Sequence, residues 1–409
     1  MTRERGTALV LGAGIVGLTS AWALVQRGYR VTVIDRASGV ASGASAANGG
    51  QLSYSYTDSL ASPAILRELP RLAFGLDRAF RLDLSFDPHF LCWGLQFLRQ
   101  CTEARALGAT VDVLALALES RLALHRFLER HPLDFSYTRR GKLHLFYTDA
   151  AALACEWAAV HKRGRGVRQH IISPREAVAL EPALAGLVPR LHSALYAPDD
   201  EAGDCAAFCV ALSRLLATQP SCELRLGVEA TGLRFDDRSV IGIDTPQGPI
   251  MAAHTVVCLG IDAARWLRPA GLRLPLCAVR GYSMTWPLRA ASPRVSLTDR
   301  SRRVVFCRLG QRLRIAGFAE VAPRSAHAAP GRLAALTDAA REVLPDAAEY
   351  DAPPLQGWVG ERPMTPSGIP MIGQTGVPGL AVNVGHGMLG WTLAMGAAER
   401  LAASFEPAR

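Results

Sequence analysis

The segment from residue 7 to residue 35 constrains the fold more than any other part of the chain. A short apolar run, Ala8 to Leu11, meets the pattern Gly12-Ala13-Gly14-Ile15-Val16-Gly17, and a helical apolar pattern follows. A second β-like run ends at Asp35. This order predicts a strand, a tight turn, a helix and a second strand, which is the arrangement of a dinucleotide-binding βαβ unit.

Each part of this motif has a physical role in binding a pyrophosphate. Gly12 permits the tight turn, Gly14 lets the backbone approach the phosphates, and Gly17 lets the helix pack close to the strand. The start of the helix presents free N–H groups and a partial positive charge. Asp35 follows at the distance where a carboxylate accepts hydrogen bonds from a ribose. A glycine-rich turn without a ligand is the alternative, and the order of the parts favours the nucleotide site.

A loop of small residues follows the second strand. Residues 41–51 read ASGASAANGGQ and contain almost no bulky side chain. Such a loop can lie against a flat ligand and offer backbone N–H and hydroxyl groups. A flexible linker is the other interpretation, which the position directly after the second strand of a nucleotide fold disfavours.

The bulk composition is that of an ordinary globular protein. The chain has 409 residues, of which 49% are hydrophobic and 20% charged, and this length suffices for two substantial domains. We find no apolar stretch of about 20 residues and no signal-peptide pattern, so we expect a cytoplasmic protein. The nine cysteines show no metal-ligand spacing. We expect them to be buried thiols in a reducing compartment, with no structural metal.

The net charge of +9 comes almost wholly from arginine, because Lys142 and Lys162 are the only lysines. A basic surface can dock on anionic lipid or on nucleic acid. The arginines are spread along the chain, which favours a dispersed and solvated surface. A basic, non-catalytic nucleic-acid-binding protein is therefore a disfavoured alternative.

The rest of the chain alternates helical and strand patterns. The first part of the helical segment 88–130, PHFLCWGLQFLRQ, is apolar around much of its circumference, which favours a core helix over a membrane-docking helix. Nucleotide-binding patterns occur at both ends and in the middle of the chain. The second domain must therefore be inserted into the nucleotide-binding domain and not appended to it. The other predicted elements are a hairpin or strand pair at 137–148, a helix after Asp204, strands at 224–228, 241–244 and 255–259, a strand-rich segment at 276–318, and a helix at 330–344.

Six sequence blocks carry a resemblance to a known family: VLGAGIVGLTSAWAL, SAANGGQLS, AVRGYSMTWP, RLRIAGFAE, GERPMTPSGIPMIG and NVGHGMLGWTLAMG. In this order the chain resembles the FAD-dependent D-amino acid oxidase superfamily, and within it the bacterial D-amino acid dehydrogenases of the small-subunit type. The resemblance implies an α/β fold, a Rossmann-like FAD-binding domain with an inserted α+β substrate domain that carries an antiparallel sheet. The FAD-binding parts would be residues 1–88, 196–274 and 331–409, and the substrate-domain parts 89–195 and 275–330.

The resemblance also implies the residue that binds the substrate carboxylate, namely Arg362 in the block Gly360-Glu361-Arg362-Pro363. A guanidinium suits this role because its planar fork forms two charge-assisted hydrogen bonds with a carboxylate. An ion pair of Arg362 with a neighbour such as Glu361 is the alternative. Relatives often carry a larger apolar or aromatic residue before this arginine, so the shape of the pocket is expected to differ here.

Four further residues are candidates for the substrate side of the site. Tyr282 lies on a strand expected to form the floor of the pocket, where it either binds the carboxylate or is a half-buried strand tyrosine. His386 in the carboxyl-terminal glycine block has a positional role. Tyr54 and Tyr56, which follow the small-residue loop, would close the opposite side.

The cofactor implied by the resemblance is FAD, held without a covalent bond. In some relatives a cysteine or histidine attaches the flavin, whereas here Asn48 occupies the amino-terminal loop and the carboxyl-terminal block contains no cysteine. Backbone N–H groups of that block, with the helix dipole, would stabilise negative charge on a reduced flavin. The residues expected to hold FAD are Gly12, Gly14, Ile15, Val16, Gly17, Asp35, Arg36, Ser42, Ser45, Asn48, Gly49, Gly50, Gln51, Val228, Gly260, Gly385, Gly387, Met388, Leu389 and Gly390.

The activity implied is oxidative deamination of D-amino acids to 2-oxo acids and ammonia, by hydride transfer from Cα to flavin N5. A quinone or another membrane acceptor would take the electrons. The apolar helix near Trp93 could contact the inner face of the bacterial inner membrane peripherally, and the sequence leaves this open. Alternatives are an enzyme for proline, hydroxyproline or another secondary amine, and a subunit of a multi-protein amine or opine dehydrogenase. A nicotinamide dehydrogenase is disfavoured because the small-residue loop and the carboxyl-terminal glycine block suit a flavin better.

Overall fold

The fold is described over residues 5–83, 85–321 and 331–405 of a computed structural model. The helices are α1 (Ile15–Gln26), α2 (Pro63–Ala73), α3 (Pro88–Gln100), α4 (Glu103–Arg130), α5 (Asp149–Arg163), α6 (Pro174–Leu180), α7 (Cys205–Ala217), α8 (Ala263–Trp266), α9 (Arg332–Val343) and α10 (Gly390–Ala403). The strands are β1 (Thr7–Leu11), β2 (Arg30–Asp35), β3 (Gln51–Leu52), β4 (Phe80–Leu82), β5 (Lys142–Phe146), β6 (His170–Ile172), β7 (Ser193–Ala197), β8 (Glu201–Ala202), β9 (Cys222–Leu226), β10 (Gly232–Asp236), β11 (Ser239–Asp244), β12 (Ile250–Met251), β13 (His254–Val257), β14 (Cys277–Pro287), β15 (Ser296–Asp299), β16 (Val304–Leu309), β17 (Arg312–Val321), β18 (Gln356–Met364), β19 (Met371–Gln374) and β20 (Leu380–Val384).

A six-stranded sheet in the order β19-β20-β13-β1-β2-β9 forms the nucleotide-binding part of the fold. Its strands are parallel except β19, which is antiparallel at the edge. Side chains alternate between the two faces of a strand, so Ala8 and Val10 pack towards α1, α4, α7 and α10, whereas Leu9 and Leu11 pack towards the small sheet β10-β11-β12. The glycine turn follows β1 at the centre of this sheet.

A second, nine-stranded sheet has the order β18-β14-β17-β16-β15-β5-β7-β6, with β4 added to β17. Its pairs are antiparallel except β15 with β5 and β17 with β4. Its strands come from two chain segments, one between β3 and β9 and the other between β13 and β19. An apolar core that includes Leu336 of α9 and Ala177 of α6 covers one face. The predicted fold class, a Rossmann-like domain with an inserted sheet domain, is confirmed.

Two of the predicted elements differ from the structure in an instructive way. The helical segment 88–130 is confirmed, but it is divided into α3 and α4, and the side chain of Thr102 caps α4 by accepting from the backbone N–H of Arg105 (3.4 Å). The prediction of a hairpin or strand pair at 137–148 is wrong. The strand described there is β5, and it pairs with β7 and β15, which lie far along the chain.

The helix α3 does not lie wholly in the core, contrary to the interpretation that the sequence favoured. It buries Trp93 and Phe97, while Leu91, Leu95 and Leu98 are 47%, 60% and 44% exposed. An apolar sequence around most of a helix does not specify how much of it neighbouring elements cover. The result is an apolar face that no other described element covers.

The cysteines are mostly buried, as predicted, but the prediction is wrong for Cys92, which is exposed, and incomplete for Cys222, which is half-buried. The predicted helix at 330–344 is confirmed as α9. Residue 330 and the last four residues of the predicted FAD-binding part 331–409 lie outside the described residues. Within the described ranges, we find no helix with the length and apolarity needed to cross a bilayer.

Candidate active site

The turn after β1 is packed so closely that it fits a pyrophosphate cradle. A Cβ atom at Gly12, where φ is +104°, would lie 2.6 Å from the carbonyl oxygen of Cys258. A Cβ atom at Gly17 would overlap the carbonyl oxygen of Gly12 itself. The start of α1 therefore lies directly on the turn, and its backbone N–H groups are brought to the edge of the sheet, where a phosphate would bind.

Two side chains from distant parts of the chain meet at the start of α1. The Ser45 hydroxyl oxygen accepts a hydrogen bond from the backbone N–H of Ile15 (3.0 Å), and a carboxylate oxygen of Asp35 accepts from that of Ala13 (2.7 Å). Both oxygens keep further acceptor capacity for a ligand. The backbone N–H of Val228 donates to the carbonyl oxygen of Asp35 (2.9 Å). These predicted FAD-holding residues are therefore brought together, as a bound dinucleotide requires.

Other predicted FAD-holding residues differ in their exposure and in the element that carries them. Arg36 is 63% exposed and forms an ion pair with Asp262 (3.2 Å), and Ser42 is exposed. Gly260 begins a short 3₁₀ turn after β13. Val16 lies in the first turn of α1.

The small-residue loop connects the nucleotide-binding part to one face of the second sheet. The Ser283 hydroxyl on β14 donates to the carbonyl oxygen of Ala47 (2.7 Å), and the Arg314 guanidinium on β17 donates to that of Asn48 (2.9 Å). The loop residues Gly49, Gly50 and Gln51 continue across β17, β16 and β15. A flat ring system held at this loop would lie between the two sheets.

Arg362 on β18 lies over the same face of the second sheet. Its guanidinium covers Gly281 of β14, where a Cβ atom would overlap it, and donates to the carbonyl oxygen of Phe318 (3.1 Å). Glu361 forms its ion pair with Arg280 instead (3.8 Å). In the part of the chain that the structure describes, no carboxylate lies within 4.0 Å of the Arg362 guanidinium. Burial lowers the pKa of Arg362 to about 10, so this group is a cation at neutral pH.

The structure does not bring Tyr282 to Arg362. Its hydroxyl donates to Glu320 (2.5 Å), whose carboxylate also binds Arg280 (3.2 Å). Neighbouring residues of a strand point to opposite faces, so Tyr282 faces α9, whereas Arg362 crosses Gly281 on the other face. Burial, with the Glu320 carboxylate beside it, raises the pKa of Tyr282 to about 12. Of the two interpretations left open, the buried strand tyrosine describes this residue.

The carboxyl-terminal glycine block lies beside the end of β18. His386 forms a backbone bridge with Met364, two residues after Arg362. Burial lowers the pKa of His386 to about 4, so its imidazole is neutral, and its Nε2 atom has no hydrogen-bond partner in the described structure. The residues Gly385, Gly387, Met388 and Leu389 form the turn from β20 to α10, which begins at Gly390.

The two tyrosines after the small-residue loop point in different directions. Tyr54 is fully buried and its hydroxyl donates to Glu201 (3.1 Å), so it is part of the core. The Tyr56 ring lies 5.1 Å from the ring of His144 and 4.8 Å from the ammonium of Lys142, measured to the ring centroid. Tyr56 is therefore held against side chains of the second sheet.

The sequence analysis did not identify the polar side chains that surround Tyr56. Lys142 and His144 of β5, together with Lys162 of α5, are each at most 3% exposed and lie in one polar cluster. The available signal was the lysine count: a chain with 45 basic residues contains two lysines, and both are buried in this cluster. A rare residue type at two positions was a clue, but it could not indicate that the two side chains meet.

A Rossmann-like sheet with a pyrophosphate cradle, set opposite a sheet that carries an arginine with no carboxylate partner among the described residues, is the architecture of a dinucleotide-dependent oxidoreductase. Comparison with known proteins specifies the family. A family model described as FAD dependent oxidoreductase, DAO, matches residues 7–404. The chain belongs to this family of FAD-dependent oxidoreductases.

Individual relatives agree with this membership. The chain is 42% identical to a D-amino acid dehydrogenase 2 of Ralstonia nicotianae, over 96% of this chain and 95% of the relative. It is 38% identical to a D-amino acid dehydrogenase of Paramagnetospirillum magneticum, over 95% and 92%. Among solved structures, glycine oxidase from Geobacillus kaustophilus has the same fold, with a TM-score of 0.72, 22% identity, and coverage of 99% of this chain and 96% of that one.

Proposed function

We propose that this protein oxidises the Cα–N bond of D-amino acids, so that the imino product hydrolyses to a 2-oxo acid and ammonia. The observation that carries the proposal is the buried guanidinium of Arg362, which has no carboxylate partner among the described residues. A buried cation is costly unless it is paired, and a substrate carboxylate would supply the partner through a bidentate pair. The names of the relatives, D-amino acid dehydrogenases, support the choice of substrate.

In this proposal the residues of the chain mainly bind and orient. Arg362 holds the substrate carboxylate while the Phe318 carbonyl fixes the guanidinium. His386, neutral at physiological pH, positions the turn that leads into α10, whose first backbone N–H groups favour negative charge nearby. When bound, FAD supplies the two-electron oxidation.

We also propose which residues hold FAD, without a covalent bond. The glycine turn and Ser45 would bind the pyrophosphate, and Asp35 would accept from the ribose. The small-residue loop and the carboxyl-terminal block would enclose the flavin ring. We propose the division into FAD-binding parts 1–88, 196–274 and 331–409 and substrate-domain parts 89–195 and 275–330 as an outline of the two domains. Its bounds do not coincide with the sheets, because β4 in the first FAD-binding part and β18 in the last are strands of the nine-stranded sheet.

The test of the substrate class is anaerobic bleaching of the purified holoenzyme. We expect loss of flavin absorbance with D-amino acids and no change with their L-enantiomers. Bleaching by L-amino acids alone would contradict the proposal. Bleaching restricted to proline and hydroxyproline would favour the secondary-amine alternative.

A variant tests the carboxylate anchor directly. We expect Arg362→Leu to lower kcat/KM by on the order of 10²- to 10³-fold, because truncating one partner of a buried charge pair costs about 2–5 kcal/mol. The matched control is Arg234→Leu, which removes an exposed arginine on the small sheet. Equal activity of the two variants would refute the assignment of Arg362.

We propose further that a quinone or another membrane acceptor takes the electrons and that the protein contacts the cytoplasmic face of the membrane peripherally. Large apolar side chains are exposed along one stretch of the chain, with exposed arginines among them, a combination that suits an anionic lipid surface. The apolar members are Leu66, Phe74, Leu76, Phe86, Leu91, Leu95 and Leu98, and the arginines are Arg67, Arg71, Arg78 and Arg99. Turnover with a soluble quinone that greatly exceeds peroxide formation in air would support the acceptor, and the reverse ratio would exclude it.

A further inference from the structure

The proposed carboxylate anchor lies beside an aromatic ring, and a pair of opposed glycines makes room for both groups. Gly281 of β14 and Gly360 of β18 lie directly opposite each other, so their Cβ positions would be on the same face of the sheet. A Cβ atom at Gly281 would overlap the Arg362 guanidinium. A Cβ atom at Gly360 would overlap the six-membered ring of Trp358. The guanidinium and the indole therefore lie side by side on one face.

The alternation of β18 explains why the two groups share this face. Trp358, Gly360 and Arg362 are two residues apart along the strand, and side chains two residues apart point to the same face. A side chain at residue 360 would separate the indole from the guanidinium, and glycine removes this obstacle. Glu361 points to the other face, where it pairs with Arg280 (3.8 Å).

The indole lies on the side of Arg362 that is away from the carboxyl-terminal glycine block. Met364, two residues beyond Arg362 on β18, forms a backbone bridge with His386 of that block. Trp358 lies four residues before Arg362, in the opposite direction along the strand. The strand β18 is at the end of the sheet order, and Trp358 is half-buried there. The indole therefore forms a side of the proposed substrate site at the edge of the sheet.

The polar groups beside the indole already have partners. The Ser283 hydroxyl, opposite Trp358 on β14, donates to the carbonyl oxygen of Ala47 (2.7 Å). Arg314 of β17 lies one step further along this face, where it is buried and donates through all three of its nitrogens to groups of the protein. Its charge would repel a basic side chain, and an acidic side chain would have to displace these hydrogen bonds and lose its hydration. An apolar side chain meets neither cost.

We propose that Trp358 is a specificity-determining residue, whose indole forms an apolar wall for the side chain of a D-amino acid bound at Arg362. The substrates that this wall favours have a long apolar side chain, as methionine does. An aromatic ring offers a large apolar area in a fixed position, and contact with it removes the apolar side chain of the substrate from water. The proposal rests on the proposed function, because it assumes that Arg362 binds the α-carboxylate.

The experiment compares D-methionine with D-alanine, which share the α-carboxylate and differ in apolar length, in the wild-type holoenzyme and in Trp358→Ala. We expect the wild type to show the higher kcat/KM for D-methionine, and Trp358→Ala to lower the ratio of the two values by on the order of 10-fold or more, the discrimination that an apolar pocket achieves. The matched control is Trp266→Ala, which removes a half-buried indole from α8 and should leave the ratio unchanged. An unchanged ratio in Trp358→Ala would overturn the proposal.

Two glycine variants separate the wall from the carboxylate anchor and leave both residues in place. Gly360→Ala should displace the indole and lower the ratio as Trp358→Ala does, because its methyl group would overlap the ring. Gly281→Ala should displace Arg362 instead and lower kcat/KM for both substrates alike. Melting curves verify folding. A folded Gly360→Ala with the ratio of the wild type would also overturn the proposal.

A binding measurement separates failure of this proposal from failure of the proposed function. We expect hexanoate to raise the Tm of the wild type more than acetate, and the two shifts to become nearly equal in Trp358→Ala. Equal shifts in the wild type would overturn the wall. Weaker FAD binding by Trp358→Ala, together with an unchanged ratio, would assign the indole to the cofactor and also overturn it. If no D-amino acid bleaches the flavin, the proposed function fails, while the hexanoate comparison still reports on Trp358.

Discussion

At the scale of single residues, the two lysines show how a partner decides the energetic effect of a buried charge. Lys162 is bound to a carboxylate, whereas Lys142 has a hydroxyl and the face of an aromatic ring. Burial lowers the pKa of Lys142 to about 8. Burial therefore disfavours the charged state of Lys142, and the folded protein keeps this lysine at a cost in stability. Such costs are typical of functional sites.

This difference predicts opposite effects on stability. A lysine in an unfolded chain has a pKa near 10.4. Below pH 8 Lys142 is charged in both states, so the full energetic cost of burying its charge lowers the stability of the folded protein. The free energy of unfolding of the wild type should therefore rise between about pH 8 and 10.4. Lys142→Met should therefore be more stable than the wild type at pH 7, by about 1–3 kcal/mol, and should lack this rise. Chemical denaturation from pH 6 to 10 measures both effects.

The companion variant Lys162→Met should be less stable than the wild type by about 1–3 kcal/mol, because it leaves the Asp58 carboxylate and the Ser55 carbonyl oxygen without their donor. If both methionine variants lost stability equally at pH 7, the distinction between the paired and the unpaired lysine would be wrong.

Gly281 predicts a second effect at this scale. A methyl group there would overlap the Arg362 guanidinium, so Gly281→Ala should displace the carboxylate anchor and raise KM for a D-amino acid by on the order of 10-fold or more, as loss of substrate orientation does. Gly232→Ala is the matched control, because it lies in a strand and has open space at the Cβ position. Steady-state kinetics of the two variants, with melting curves to verify folding, provide the test. An unchanged KM in Gly281→Ala would show that the guanidinium need not lie over this strand.

At the scale of elements, the crossing of α4 and α10 helps to hold the carboxyl-terminal glycine block in place, because α10 begins where that block ends. A Cβ atom at Gly396 of α10 would lie 2.8 Å from the carbonyl oxygen of Leu116 and from the backbone nitrogen of Ser120 on α4. The two helix backbones therefore approach more closely than side chains would allow. Such a contact fixes the position of α10 and with it the turn that contains His386.

We expect Gly396→Ala to lower the free energy of unfolding by about 1–3 kcal/mol, the usual cost of overpacking. Gly108→Ala is the control in the same helix pair: Gly108 is an exposed position of α4 with open space around it, and alanine should raise the stability by about 0.5–1 kcal/mol through helix propensity. Thermal or chemical denaturation distinguishes the two signs. A stabilising Gly396→Ala would contradict the close approach of the helices.

The elements also show where local sequence stops being informative. The βαβ unit was predictable because its strand, turn and helix are adjacent in the chain and each has its own periodicity. The strand β5 was misread as half of a hairpin because its partners β7 and β15 are distant in sequence. Strand pairing depends on the partner as much as on the strand, and a single window of sequence contains only one of the two.

At the scale of the whole molecule, the exposed apolar side chains between residues 66 and 98 allow the proposed membrane contact to be tested. We expect the holoenzyme to float with liposomes that contain anionic lipid and to bind neutral liposomes weakly, because the arginines of this face add electrostatic attraction to apolar burial. Leu91→Ser combined with Leu95→Ser should reduce flotation, because each removes an exposed apolar side chain.

The matched control for this membrane test is Leu122→Ser, an exposed leucine of α4. It should float like the wild type. Equal flotation of the double variant and the wild type would show that this face is not the contact. Activity with a soluble acceptor reports separately that the variants are folded.

The sequence by itself determined the nucleotide-binding unit, the class of fold and the family, because these depend on motifs in which neighbouring residues act together. It also provided Arg362 as a candidate, through the block that surrounds it. Only the tertiary structure decided that Tyr282 and Arg362 lie on opposite faces of the sheet and that Lys142, His144 and Tyr56 meet. The reason is that the face to which a strand residue points depends on register, and the partner of a buried charge depends on which distant segments fold against it.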